Sequence, residues 1–314
     1  MVAPAANLAF VFPGQASQHT GMATELLAQE SVARAIFNQA SEVLGLNLAE
    51  LCTTGSDEVL TRTDIAQPAL LTTSVAWLAV LQERGLAARI AAGHSLGEFG
   101  AWVAAGVLDF EQAVRLVRRR GELMEESASR RPGGMLAVIG VSDAQVEEAC
   151  KKAGRAGVVV PANFNSPGQV VVSGEMEALY EVRQAVKAAH GRAIPLRVSG
   201  AFHSPLMEDA AHSFAEIVAK LPLADPQIPV VANATAELVT TAEQARQAMA
   251  KQMMSPVLWT ASVQRMMKES VDLFVEIGPG QVLTKLIGRI SEGARALSVG
   301  TPDELQVLLQ EVNK

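Results

Sequence analysis

The chain reads IAAGHSLGEFGAWVAA over residues 90–105, and this stretch decides the fold. Its start, Ile90–Ala92, is a short apolar run that indicates a buried strand, and Glu98–Ala105 continues as a helical segment. Between them, GHSLG at residues 93–97 fits the G-x-S-x-G pattern of a strand that turns sharply into a helix. Such a turn strains the middle residue and exposes its hydroxyl at the helix N-terminus. We therefore predict that Ser95 is a nucleophile; a serine that only caps the helix is the alternative.

Short apolar strands alternate with helices on both sides of this stretch. The predicted strands are Leu8–Phe12, Ile90–Ala92, Ile228–Ala232, Leu273–Ile277 and Leu297–Val299, and a helix over Pro302–Val312 ends the chain. Strands that alternate with helices favour a parallel sheet covered on both faces. The fold class is therefore predicted to be α/β.

One internal segment follows a different order. The predicted strands there are Met135–Val141, Val158–Val160, Val170–Ser173 and Ala193–Val198, and the predicted helices are Asp143–Ala153 and Glu175–His190. The resulting β-α-β-β-α-β order is that of a ferredoxin-like unit, and it begins after a loop rich in Ser, Arg, Pro and Gly. We predict a large domain from residues 1–127 and 200–314, with a ferredoxin-like small domain inserted over residues 128–199.

Composition and charge exclude several classes of protein. The chain has 314 residues, of which 49% are hydrophobic and 19% charged, so it has enough apolar surface for a large core. A formal net charge of −7 disfavours nucleic acid as the main partner, because phosphate backbones require a basic surface. Two isolated cysteines, Cys52 and Cys150, argue against a disulfide framework and against a Cys-rich zinc site. We therefore expect no metal and no cofactor.

The sequence also carries no targeting signal that we recognise. Residues 1–12 contain no Lys or Arg, so they lack the charged start of a secretory signal. No stretch approaches the ~18 uninterrupted apolar residues of a membrane helix. We expect a cytoplasmic protein that does not contact a membrane and that is a monomer.

A nucleophilic serine needs a base, and histidine is the usual one. Four of the five histidines have another explanation. His94 is the neighbour of Ser95, and His190 lies at a helix end. His212 lies on a polar helix face and His19 in a polar loop. The fifth, His203, lies in a loop between a strand and a helix, where α/β sheets place their chemistry. An ordinary loop histidine is the alternative. No acidic residue adjoins His203, so a residue elsewhere or a backbone carbonyl has to orient it.

The helix predicted from Phe110 to Met124 has a charged residue on its apolar face. That face contains Ala113, Leu116, Val117, Leu123 and Met124. Arg120 fills the gap in it, whereas Arg118 and Arg119 fall outside it. A guanidinium that faces the core cannot lose its proton and must meet an anion. A structural Asp or Glu is one candidate, and the carboxylate of a substrate is the other.

These residues belong to a pattern that covers nearly the whole chain. The blocks, in order, are FPGQ at 12–15, GHSLGE at 93–98, RGELM at 120–124, NFNSPGQ at 163–169, GAFHS at 200–204 and EIGPG at 276–280. In these blocks the chain resembles the malonyl-CoA:acyl carrier protein transacylases of fatty-acid and polyketide synthesis. The resemblance implies an α/β-hydrolase-like large domain with an inserted ferredoxin-like domain. It also implies that a malonyl group passes from malonyl-CoA to the thiol of a holo acyl carrier protein.

The resemblance assigns roles to individual residues. Ser95 is the acylated nucleophile, His203 its base and Arg120 the group that binds the malonyl carboxylate. The backbone N–H groups of Gln15 and Leu96 form the oxyanion hole. The remaining assignments are Gln252, whose backbone carbonyl orients the histidine, and Asn163 and Phe202, which line the pocket. Two positions depart from the family, Ala16 in place of a common glycine and Phe99 in place of a common tyrosine, and neither is expected to touch the chemistry.

Three alternatives to this function stay open at the level of sequence. A serine thioesterase or esterase of the same architecture is the first rival, a malonyl-loading subunit of another carrier-protein system is the second, and a non-catalytic scaffold is the third.

An acidic carrier protein needs a basic patch on this acidic chain. Candidates are Arg118, Arg119, Arg130, Arg131, Lys151, Lys152 and Arg155.

Overall fold

The computed structural model describes residues 7–313. Its strands, in chain order, are β1 Leu8–Phe12, β2 Ile90–Gly93, β3 Gly134–Ile139, β4 Val159–Ser166, β5 Gln169–Gly174, β6 Arg192–Pro195, β7 Val230–Val231, β8 Leu238–Val239, β9 Leu273–Ile277 and β10 Ala296–Val299. Its α-helices are α1 Thr24–Gln29, α2 Ser31–Leu44, α3 Leu48–Thr53, α4 Asp57–Thr61, α5 Thr63–Glu83, α6 Gly97–Ala104, α7 Phe110–Arg130, α8 Asp143–Ala153, α9 Met176–Ala188, α10 Glu208–Ala219, α11 Ala242–Gln252, α12 Trp259–Lys268, α13 Val282–Ile290 and α14 Pro302–Val312.

The large sheet has the strand order β10-β9-β1-β2-β7-β8. The pairs β10–β9, β9–β1, β1–β2 and β2–β7 are parallel, and only β8 runs antiparallel to its neighbour. The α/β prediction is thereby confirmed. The predicted strand 228–232 shortens to the two residues of β7, and β8 was not predicted, because a two-residue strand is too short to show a hydrophobic period.

The small sheet has the strand order β4-β5-β3-β6, and all of its pairs are antiparallel. With α8 and α9 packed on it, this is the predicted ferredoxin-like unit. The unit has its own apolar cluster, which includes Val138, Val146, Val172 and Val182. Its strands lie within residues 134–195, and α7 continues to Arg130. The domain bounds 1–127, 128–199 and 200–314 remain a prediction.

The longest buried helix of the large domain is α5. It is long and apolar enough to cross a membrane by length and composition, but 94% of its most apolar window is buried inside the protein. It packs against α2, α6 and α7. This burial is the environment of a core helix, in which even the polar side chains of Asp64, Gln67 and Ser74 are buried.

Candidate active site

The sharp turn predicted around Ser95 is present. Strand β2 ends at Gly93 and α6 begins at Gly97, so Ser95 lies between them with a φ of +52°, in the left-handed region. A Cβ on Gly93 would stand 2.0 Å from the carbonyl carbon of Gly97, and one on Gly97 would stand 2.0 Å from the carbonyl oxygen of Phe12. Both glycines are therefore required by close backbone approach.

Ser95 and His203 form a hydrogen-bonded pair. Ser95 Oγ lies 2.7 Å from His203 Nε2. His203 Nδ1 lies 3.1 Å from the carbonyl oxygen of Gln252 and 3.0 Å from that of Ser255. Two carbonyl acceptors require the proton on Nδ1, so Nε2 is the unprotonated nitrogen that accepts from the serine hydroxyl. Among residues 7–313, no carboxylate takes part in this orientation, and backbone carbonyls do so instead.

The environment of His203 keeps the imidazole neutral. Burial, together with the positive charge of Arg120, lowers the pKa of His203 to about 3. Like Ser95, His203 has a positive φ, +58°. Strained backbone at two non-glycine residues that meet through their side chains is typical of a functional site.

The other histidines have the surroundings expected from the sequence. His94 Nε2 is 2.8 Å from Asn165 Oδ1, and its ring packs against that of Trp259 at 5.7 Å. His19, His190 and His212 are exposed. The contact of Asn165 with the elbow was not foreseen from the sequence.

Arg120 is buried beside the serine hydroxyl. It is 1% exposed, and its Nη2 donates to Ser95 Oγ at 3.3 Å. Nη1 donates to Gln67 Oε1 and Nη2 to Gln252 Oε1, each at 2.9 Å. Over residues 7–313, Arg120 has no carboxylate within ion-pair distance, and its Nε–H has no partner. A structural Asp or Glu partner, one of the two alternatives at the sequence level, is therefore not found.

Two further observations concern the guanidinium. Burial lowers the pKa of Arg120 to about 10, and the nearby Glu98 opposes this shift, so the group stays charged at neutral pH. The ring of Phe99 lies 5.6 Å from the guanidinium carbon. Phe99 therefore packs against Arg120, and the expectation that this departure from the family does not affect the chemistry stays a prediction.

The other predicted site residues lie around this pair. The loop that carries Gln15 packs on the elbow, since a Cβ on Gly14 would stand 2.5 Å from the His94 carbonyl oxygen. Leu96 follows the nucleophile directly. The oxyanion role of Gln15 and Leu96 and the pocket role of Phe202 stay predictions.

Asn163 is buried on β4 and pairs with Val257, in the loop that follows the carbonyls of Gln252 and Ser255. Its pocket role also stays a prediction. In contrast, the side chain of Gln252 was not considered from the sequence, although it contacts Arg120 and the carbonyl oxygen of Ser95 at 2.9 Å.

A cavity of about 660 Å³ lies elsewhere, beyond the ends of β9 and β10, and Ser95 is not among its lining residues. Its rim contains the starts of α13 and α14. The carboxylate of Glu276 accepts from the N–H groups of Leu283 and Thr284 in the first turn of α13, and that of Glu304 accepts from the N–H of Gly300, just before α14.

Comparison with known proteins agrees with this geometry. The sequence model of the acyl transferase domain matches residues 9–306. The malonyl CoA-acyl carrier protein transacylase of Escherichia coli K12 is 43% identical over 306 residues, which cover 97% of this chain and 99% of that protein. The Bacillus subtilis protein of the same name is 39% identical over 98% of each chain.

Solved structures agree as well. The malonyl CoA-acyl carrier protein transacylase of Coxiella burnetii superposes with a TM-score of 0.96 at 37% identity and covers 99% of both chains. A malonyl-transacylase solved in complex with its type II polyketide synthase acyl carrier protein has a TM-score of 0.95 at 42% identity, over 98% of this chain and 100% of that one. On the length and identity of these matches, the chain belongs to the acyl transferase domain family, among the malonyl CoA-acyl carrier protein transacylases.

Proposed function

We propose that this protein transfers a malonyl group from malonyl-CoA to the phosphopantetheine thiol of an acyl carrier protein, through a malonyl ester on Ser95. One observation carries the proposal: a charged guanidinium with no ion-pair partner in residues 7–313 lies 3.3 Å from a serine hydroxyl that bonds a histidine. This arrangement suits an acyl group that has its own negative charge. The names of the relatives support the same activity.

In the first half-reaction, Ser95 Oγ attacks the thioester carbonyl carbon while His203 Nε2 takes the hydroxyl proton. The carbonyl oxygen becomes an oxyanion, which the N–H groups of Gln15 and Leu96 are proposed to bind; one such donor contributes about 3–4 kcal/mol. The C–S bond then breaks, and His203 returns the proton to the departing sulfur of coenzyme A. Malonyl remains on Ser95 as an ester.

In the second half-reaction, the pantetheine thiol of the carrier protein attacks the ester while His203 accepts its proton. The bond to Ser95 Oγ breaks, and the serine hydroxyl recovers the proton. Arg120 holds the malonyl carboxylate in both steps, and Phe202 and Asn163 are proposed to line the acyl pocket. None of these steps requires a metal or a cofactor.

The partners in this proposal are malonyl-CoA and a holo acyl carrier protein, with no nucleic acid and no membrane. We propose that the protein acts as a monomer in the cytoplasm. Of the proposed basic patch, Arg118, Arg119 and Lys152 are paired with neighbouring carboxylates, which weakens their part in docking. Arg130, Lys151 and Arg155 are exposed and are the better candidates.

A serine hydrolase of the same architecture is the second candidate, because the Ser95–His203 pair would serve hydrolysis equally well. Mass spectrometry after mixing with malonyl-CoA separates the two. Transfer predicts a lasting malonyl adduct on Ser95 that a holo carrier protein discharges. Release of coenzyme A with no adduct and no acceptor would establish hydrolysis instead. In the same assay, Arg120→Ala should lower malonyl loading by about 100-fold or more, since a charge-assisted contact to the substrate is lost.

A further inference from the structure

A second buried charge, which the mechanism above does not use, lies behind the elbow. Glu98 is the second residue of α6 and is 1% exposed. Its Oε1 accepts from the backbone N–H of Asn233 at 2.7 Å, and its Oε2 accepts from Nε2 of Gln252. The two donors come from segments far apart in the chain, after β7 and at the end of α11.

Each of these partners also holds one side of Ser95. Asn233 Oδ1 accepts from the backbone N–H of Ser95 at 2.7 Å, and Asn233 Nδ2 donates to the carbonyl oxygen of Gly93 at 2.6 Å. Gln252 Nε2 donates to the carbonyl oxygen of Ser95 at 2.9 Å. The peptide groups before and after the strained Cα of the nucleophile are thus both fixed by residues bound to Glu98.

The carboxylate also sets the orientation of an amide. An ionised carboxylate only accepts hydrogen bonds, so the NH₂ end of Gln252 has to face Glu98. The oxygen end of the same amide then faces Arg120, whose Nη2 donates to it at 2.9 Å. The reverse orientation would place two donors against each other at Arg120. Glu98 therefore acts together with the Ser95 carbonyl in fixing which end of Gln252 the guanidinium meets.

We infer that Glu98 is a positioning residue for substrate selection. Its carboxylate, acting through Gln252 and Asn233, holds Arg120 and Ser95 in the relative placement that favours a malonyl over an uncharged acyl group. The inference rests on the function proposed above and deepens it. Glu98 contacts neither the reacting atoms nor the substrate, so its effect is indirect.

A carboxylate is the side chain that this position needs. Both of its oxygens meet N–H donors, so Glu98→Gln would place an NH₂ group against either Asn233 N–H or Gln252 NH₂. Burial raises the pKa of Glu98 to about 7, against the opposing effect of its hydrogen bonds and of Arg120. A costly buried charge that forms bonds on both oxygens is consistent with a specific positioning role.

Another buried glutamate provides a matched control. Glu276 is fully buried in β9, and its carboxylate accepts from the backbone N–H groups of Leu283 and Thr284 at the start of α13. Burial raises its pKa as well. Glu276→Gln removes one buried carboxylate of the same size without a bond to Ser95, Gln252 or Arg120.

The experiment compares malonyl-CoA with acetyl-CoA in single-turnover loading of Ser95, together with the melting temperature of each variant. Glu98→Gln is expected to lower kcat/KM for malonyl-CoA by about 100-fold and the malonyl-to-acetyl preference by about tenfold or more. Glu276→Gln is expected to lower the melting temperature and to leave the preference intact. Equal losses for both acyl groups in Glu98→Gln, which would leave the malonyl-to-acetyl preference unchanged, would overturn the inference.

A second variant covers a failure of Glu98→Gln to fold. Gln252→Leu removes the relaying amide and keeps the backbone carbonyl that orients His203. It should lose the preference to the same extent, and retention of the preference would overturn the inference by itself. Wild-type protein that forms no malonyl adduct at all would instead contradict the proposed function, so the two failures are distinguishable.

Discussion

Two loops at the carboxyl ends of neighbouring strands differ in how their strain is held. The elbow after β2 and the loop after β1 pack against each other, and each has a non-glycine residue with positive φ, Ser95 at +52° and Ala16 at +82°. Ser95 is braced through Asn233 and Gln252, 138 and 157 residues away. Ala16 is exposed, and its N–H donates to Gln18 Oε1, two residues away.

The difference shows where this protein needs a fixed backbone. Strain that is held by distant partners persists because relaxing it would break bonds to two other segments of the chain. Strain that is held locally can relax with little cost. The nucleophile is thus on the rigid loop, whereas the loop proposed to supply an oxyanion donor from Gln15 is the adaptable one.

The largest effect is expected from Gly97→Ala in the elbow. The new Cβ would stand 2.0 Å from the carbonyl oxygen of Phe12, and backbone on both sides leaves little room to move. We expect a loss of about 3 kcal/mol in the free energy of unfolding, measured by urea titration. The control is Gly288→Ala in α13, where nothing lies within 4 Å of the new Cβ. It should be neutral or stabilising by up to ~1 kcal/mol. Equal stability of the two variants would contradict the close packing of the elbow.

A smaller effect, mainly on rate, is expected from Asn233→Ala. The change leaves the N–H of Ser95 and the carbonyl of Gly93 without their partners, which frees the strained turn. We expect kcat for malonyl loading to fall about 10- to 100-fold, measured by single-turnover mass spectrometry. Gln18→Ala removes the corresponding hydrogen bond, to Ala16, in the loop after β1 and should change the loading rate by less than about threefold. A larger loss of rate from Gln18→Ala than from Asn233→Ala would show that the loop after β1, and not the loop after β2, is the one that has to be fixed.

The pH dependence of malonyl loading should reflect the titration of Glu98 and not that of His203. The carboxylate form of Glu98 is needed to accept both N–H donors, and its pKa is raised to about 7, so loading should fall as the pH drops through 7. Of the groups that face Glu98, Asn233 and Gln252 do not titrate and Arg120 stays charged in this pH range. The pKa of His203 is lowered to about 3, so the base remains neutral through this range. Initial rates of loading between pH 5 and pH 8 test this, and an acid limb that persists in Glu98→Gln would assign it to another group.

The smallest effect is expected from Ala16→Gly. Glycine accepts a φ of +82° without the steric cost that alanine has there, but it loses more backbone entropy on folding. We expect a gain of about 0.5–1 kcal/mol in the free energy of unfolding, measured by urea titration, with an unchanged loading rate. A loss of stability would show that the loop after β1 is not strained at Ala16.

The sequence contained enough to find the residues whose types and spacing are unusual. GHSLG required a tight strand-to-helix turn, Arg120 interrupted an apolar helix face, and His203 was the histidine without another explanation. The α/β alternation and the ferredoxin-like order were readable because each strand and helix has its own hydrophobic period. The carbonyl of Gln252 came from the resemblance alone, and the second carbonyl, of Ser255, was not foreseen.

What the tertiary structure decided was the set of buried polar contacts between distant segments. Asn233 and Gln67 look like ordinary loop or helix residues in the sequence, and although Glu98 belongs to the GHSLGE block, nothing local indicates which distant groups it meets. Their roles follow from burial, because most polar groups removed from water pair with whatever partner the fold brings within about 3 Å. A local pattern determines which residue can be a nucleophile, but only the packed fold determines what holds it in place.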